Sequence, residues 1–122
     1  MAQIDRIYVI LALVLLILGE ALGFYMGMAA DTKFRTLHIA FVLVGFVTFA
    51  IFGVLYRLWP MLKDGALAVA QFWLTVIGIA GIIVGTYQFT VSGAVPIIAT
   101  GSAITILGTL LLAWMFWRRS AA

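Results

Sequence analysis

Residues 31–60 read DTKFRTLHIAFVLVGFVTFAIFGVLYRLWP. From Leu37 to Tyr56 no charged residue interrupts the run, which matches the ~20 apolar residues a helix needs to cross a bilayer core. Lys33 and Arg35 flank one end of it and Arg57 and Lys63 the other, and Pro60 closes it because proline cannot continue a helix. The stretch is therefore read as a membrane helix that carries one coordinating side chain, His38, one turn inside its beginning.

The rest of the chain has the same character. Hydrophobic residues make up 66% of the 122 and charged residues only 9%, with a mean hydropathy of +1.28, far from the balance of a soluble domain. Spans are expected at about 7–28, 37–59, 66–89 and 96–117, with no length left for a soluble domain. The run from Ile7 to Met28 exceeds the roughly 7–15 apolar residues of a signal peptide and is expected to be a retained first span. Thr90 to Gly93 is read as an uncharged turn leading to Pro96 at a helix start. Short connections make successive spans antiparallel, so the expected fold is all-α, a single-domain antiparallel four-helix membrane bundle.

The net charge of +3 does not point to nucleic acid, because the basic residues sit at span ends, where they set topology. Arg6, Arg57, Lys63, Arg118 and Arg119 fall on one side and Lys33 and Arg35 on the other. Both termini are accordingly expected in the cytoplasm and the protein in the bacterial cytoplasmic membrane. Trp59, Trp114 and Trp117 at the same ends agree with an interfacial belt. Cysteine is absent, which excludes disulfides and thiolate metal or iron-sulfur sites.

Glycines recur at helical spacing: Gly19, Gly23 and Gly27 in the first span, Gly45 and Gly53 in the second, and Gly78, Gly81 and Gly85 in the third. Lipid supplies no hydrophobic drive between helices, so missing side chains that let backbones approach are expected to hold the bundle, or copies of it, together. Gln71, Thr75, Thr86, Gln88, Thr90, Ser92, Thr100, Ser102 and Thr105 are read as hydrogen-bonding glue within or between spans.

Two side chains could carry chemistry. Glu20 is the one carboxylate well inside a span, and because an ionised acid there is costly it is expected to face the bundle as a buried acid. It would be either protonated or paired with His38, Gln88, Lys33 or Arg35. His38 is either a simple hydrogen-bonding group or a ligand. Alone it cannot build a zinc or copper site, but a haem needs only one or two axial ligands, and Met26, Met28 or the His38 of a second copy are the candidates for the other position. No nucleophile with its base, phosphate loop or paired carboxylates is present, so no catalytic residue and no metal cluster is expected.

The segment Phe34-Arg35-Thr36-Leu37-His38, the glycine-containing helix after it, and Gly53-Val54-Leu55-Tyr56-Arg57-Leu58-Trp59-Pro60 resemble a helix of the haem-copper oxidase and nitric oxide reductase catalytic subunit. There an Arg-x-Leu-His opening supplies a histidine to the low-spin haem. Gln71-Phe72-Trp73-Leu74-Thr75-Val76-Ile77-Gly78 is similar to another helix of that subunit, and a second span closing on Tyr-Arg-Leu-x-Pro is similar to that of small four-span relatives. The resemblance covers spans two and three and implies one role, His38 as axial ligand of a b-type haem in electron transport. The further histidines that hold the second haem and copper have no counterpart, so oxygen or nitric oxide reduction by this chain alone is not expected. The alternatives are an accessory subunit of a larger membrane complex and a small proton-coupled cation exporter using Glu20. The protein is expected in the lipid bilayer, as a homo-oligomer or as a subunit of a larger membrane complex.

Overall fold

A computed structural model describes residues 2–119. Four helices in it are long and apolar enough to span a membrane: α1 (Ile4–Ala29), α2 (Arg35–Leu58), α3 (Ala66–Ser92) and α4 (Pro96–Arg119). A one-turn 3₁₀ helix, Pro60–Lys63, joins α2 to α3. The all-α membrane bundle expected from hydropathy is thus the fold observed, with no strand among the described residues.

The termini of the helices follow local chemistry. α1 ends where Ala30 enters the left-handed region at φ 50° and the N–H groups of Ala30 and Asp31 return to the Met26 carbonyl. α3 runs further than expected, because Thr90 and Ser92 do not turn the chain. Their hydroxyls donate back to the carbonyls of Thr86 and Gln88, and Gly93 at φ 74° provides the stop. α2 is not uniform: residues Ala40–Val47 form a π-helical segment between two α-helical ones. Such widened turns are rare and reset the phase of the apolar stripe.

Packing builds two hairpins, α1 with α2 and α3 with α4, which meet chiefly where α2 lies against α3. In each hairpin glycines set the distance. A Cβ on Gly19 would lie 2.9 Å from Val42 Cγ2, one on Gly45 2.6 Å from Leu15 Cδ1, and one on Gly53 2.9 Å from Val9 Cγ2. Between α3 and α4 the approach is closer and backbone to backbone: Gly81 faces Gly101, Gly85 faces Ile98, and Gly78 faces Thr105. Gly108 of α4 packs on Thr75 and Leu74. Gly27 is different, with no atom within 4 Å of where its Cβ would stand.

The core lies mostly at the end of the bundle that carries Arg6, Arg57 and Arg119, here termed the basic end. Tyr8 is at its centre, with ring centroids 5.2 Å from Phe72, 5.6 Å from Phe49 and 5.8 Å from Tyr56. Ile4, Leu62, Ala68, Leu112 and Met115 enclose these rings. Trp59 meets Phe116 edge-on at 4.9 Å, closing α2 onto α4. The remaining large apolar residues, Ile17, Leu43, Ile77 and Leu107 among them, are exposed on the outside, as a lipid solvent requires.

Candidate functional site

His38 is placed at the opposite end by the first turn of α2, whose backbone begins with Arg35 N–H donating to Thr32 O and His38 N–H to Phe34 O. Phe34 stacks on Tyr87 of α3 at 5.9 Å and nearly parallel, and Lys33 Nζ lies 5.5 Å over the Phe34 ring. The start of α2 is therefore held from both sides. The imidazole lies against α1, where Gly23 makes room for it: a Cβ there would be 2.8 Å from His38 Cε1 and 3.1 Å from Nδ1.

His38 Nδ1 is 2.7 Å from the carbonyl oxygen of Gly19. A carbonyl can only accept, so Nδ1 carries the proton and, in the neutral ring, Nε2 holds the free lone pair. Nε2 has no partner among the described residues and is not sealed inside the protein. Backbone fixation of one ring nitrogen, with the other left basic and open, is the arrangement by which proteins orient a histidine that binds iron, zinc or copper. Gly19 and Gly23 thus serve the histidine as well as the helix contact, a role that spacing alone did not disclose.

The structure separates the other candidates. Met26 is buried on the α1 face that carries Gly19 and Gly23, while Met28 is 75% exposed and lies about 180° around the helix from Gly19. Only Met26 shares a face with the histidine seat.

The expectation that Glu20 faces the bundle is corrected. The buried stripe of α1 runs through Ile4, Tyr8, Ala12, Gly19 and Met26, and Glu20, about 100° past Gly19, falls on the exposed side. Its carboxylate makes no hydrogen bond or ion pair with any described residue. None of its expected partners reaches it: His38 bonds the Gly19 carbonyl instead, and Gln88 Oε1 is buried without a partner.

A second polar centre lies in the core at the basic end. Gln71 Oε1 accepts from Tyr8 at 2.8 Å and from Tyr56 at 2.9 Å, and its Nε2 donates to Thr75 Oγ1 at 2.9 Å and to Gly108 O at 3.3 Å. Both lone pairs and both protons of the amide are used, with one partner on each of the four helices. Gln71 has no capacity left for a ligand, and its place is that of a four-helix tie. The sequence shows the glutamine but not its partners, since Tyr8 and Tyr56 read simply as aromatic residues near span ends.

Below this tie, Asp5 accepts from Arg57 Nη1 at 3.0 Å and from Lys63 Nζ at 2.9 Å, and Lys63 also donates to Ala2 O. Asp5 is 5% exposed and Arg57 79% exposed, so a buried carboxylate draws together α1, the end of α2 and the 3₁₀ turn. Arg119 Nη1 donates to the carbonyls of Leu62 and Asp64, fastening α4 to the same turn. Among the described residues, no three or more His, Asp or Glu side chains gather to hold a metal ion. No protein-family model, curated protein or solved structure matches the chain.

Proposed function

We propose that this membrane protein binds a b-type haem through His38 Nε2 and serves electron transfer or haem handling, retaining one helix pair of the oxidase-like scaffold its second and third spans resemble. The single observation that carries the reading is the 2.7 Å contact of Nδ1 with Gly19 O, which leaves Nε2 basic and open. Bound haem would supply one-electron redox chemistry, and the chain would supply an imidazole held in one orientation and tautomer by the backbone carbonyl. Met26 would be the intramolecular candidate for a second ligand, since it shares the α1 face that seats His38. The His38 of a second copy is the other source, and makes the working form a homo-oligomer. By the charge count, both termini would lie in the bacterial cytoplasm and His38 near the outer surface.

The test is the absorption spectrum of protein expressed with ample haem, oxidised and then reduced with dithionite. A Soret band with sharp reduced bands is expected, lost in His38→Ala. Gly23→Ala, which pushes a methyl into the ring, is expected to weaken haem retention by about 10- to 100-fold, as loss of a supporting contact does at metal sites. A colourless wild type, or a spectrum indifferent to His38→Ala, would overturn the proposal and leave an accessory scaffold of a larger membrane complex.

One observation favours a second reading, a proton-coupled exporter of cations. Glu20 lies roughly 13 Å from the histidine end of α1, exposed and without a hydrogen bond or ion pair among the described residues, and an acid that far inside a span is a candidate transport residue. In that reading Glu20→Gln abolishes cation-driven proton release from proteoliposomes and His38→Ala leaves it intact; the reverse pattern would remove it.

A further inference from the structure

At the basic end two recesses adjoin on the outer surface of the α1–α2 hairpin. One is an apolar groove of about 360 Å³ lined by Val9 and Ile10 of α1 and by Gly53 and Val54 of α2. The other is a polar recess of about 260 Å³ lined by backbone and side chains of Ala2, Gln3 and Lys63. Asp5, Arg6 and Arg57 border both. The groove falls in the range of small-ligand sites, and it runs from the charged rim about one helical turn toward the hydrocarbon.

The charges at the rim do not cancel. Asp5 is the only acid there, and its two oxygens are engaged by Arg57 and Lys63. Arg57 is largely exposed beyond that contact, and the guanidinium of Arg6 has no hydrogen bond or ion pair among the described residues. Two arginines thus stand over an apolar slot at the ends of two candidate membrane spans, with donors to spare.

We propose that these two recesses form one site for an anionic glycerophospholipid, its phosphate held by Arg6 and Arg57 and the upper part of one acyl chain lying along Val9, Ile10, Gly53 and Val54. Neither half of the site explains the other alone: a soluble phosphate has no use for the groove, and an uncharged chain has none for the arginines. The site is independent of His38, which lies at the far end of α2. It ties one lipid to the hairpin that also seats the histidine, on the side where basic residues meet the anionic leaflet.

The test is native mass spectrometry of the delipidated protein in mild detergent, offered equal amounts of phosphatidylglycerol and phosphatidylcholine with identical acyl chains. Each arginine near an anionic headgroup is expected to give about a fivefold preference, on the order of 25-fold for both. Arg6→Gln, which breaks no side-chain hydrogen bond or ion pair among the described residues, should remove about fivefold of it, and Arg6→Gln with Arg57→Gln the remainder. Val54→Trp should fill the groove and lower retention of both lipids, and millimolar glycerol 3-phosphate should displace neither. Equal retention of the two lipids, or a preference that survives the double arginine substitution, would overturn the proposal. Displacement by glycerol 3-phosphate would also overturn it, in favour of a free anion site. So would efficient disulfide formation between copies of Val54→Cys, the sole cysteine in such a chain, since a second copy would then own the groove.

Discussion

Substituting Gly85 or Gly101 with alanine is expected to destabilise the bundle by about 1–3 kcal/mol at each site, and leucine at either is expected to separate α3 from α4. The reason is what a Cβ would meet. At Gly101 it would lie 2.6 Å from the Gly81 carbonyl carbon and 2.6 Å from Ile82 N, and at Gly85 it would meet the Ile98 backbone at N and, at 2.5 Å, Cα. These are main-chain atoms of a regular helix, and no rotamer change can withdraw them. The helices must move apart, and the other close contacts of α3 with α4, Gly78 on Thr105 and Gly108 on Thr75, loosen with them. Gly27→Ala is the internal control, because no atom lies within 4 Å of its Cβ position. There the change should be neutral or stabilising by up to about 1 kcal/mol, the gain of alanine over glycine inside a helix. Unfolding free energies from denaturing-detergent titration in mixed micelles check both. If Gly85→Ala and Gly27→Ala behaved alike, the close α3–α4 packing would be wrong.

Gln71→Leu is expected to cost about 2–4 kcal/mol, more than a typical hydrogen-bonding residue in a membrane bundle, where single interhelical bonds average about 0.6 kcal/mol. The difference lies in what is left behind. Two tyrosine hydroxyls donate to one oxygen; with it gone Tyr8 can turn only to Thr75 Oγ1 and Tyr56 only to the Tyr8 oxygen, and a hydroxyl that does not make that shift stays buried and unpaired, at a cost of about 1–3 kcal/mol. The Gly108 carbonyl also loses its side-chain donor. A cycle identifies the mechanism. Tyr8→Phe and Tyr56→Phe should each destabilise the wild type, yet adding both to Gln71→Leu should recover about 1–2 kcal/mol, because the orphaned hydroxyls go with the amide. Strictly additive effects would show that Gln71 contributes by packing alone.

The two centres differ in what they demand of the helices around them. The Gln71 tie uses every donor and acceptor it has, as a core polar network must to be favourable. The His38 seat does the reverse, holding one nitrogen and leaving the other open. A side chain so oriented, with one nitrogen held and the other open, is the feature on which the proposed haem site rests. The π-helical segment begins two residues after it, and widened turns of this kind cluster at functional sites. Here it lets His38, Val42 and Gly45 address α1 while Phe49, Phe52 and Tyr56 enter the core.

Much of the molecule is determined by the sequence alone. Four apolar runs of bilayer length, separated by charged or glycine-containing turns, admit only helices in lipid, because a hydrocarbon solvent leaves no other way to satisfy the backbone. The helically spaced glycines from Gly19 to Gly85 announce close packing, and for all of these but Gly27 the neighbour lies within the chain. Tertiary structure decided the rest, and the reason is phase. Hydropathy is nearly uniform around each helix, so it carries no record of which face turns inward. One residue of helical rotation separates Gly19, whose carbonyl orients the histidine, from Glu20, which is left on the outside. The same blindness hid the meeting of Tyr8, Tyr56 and Gln71, since residues 63 and 15 positions apart come together only when two hairpins are docked. Composition sets the solvent and the spans; only the docked helices reveal which polar groups are satisfied and which remain open.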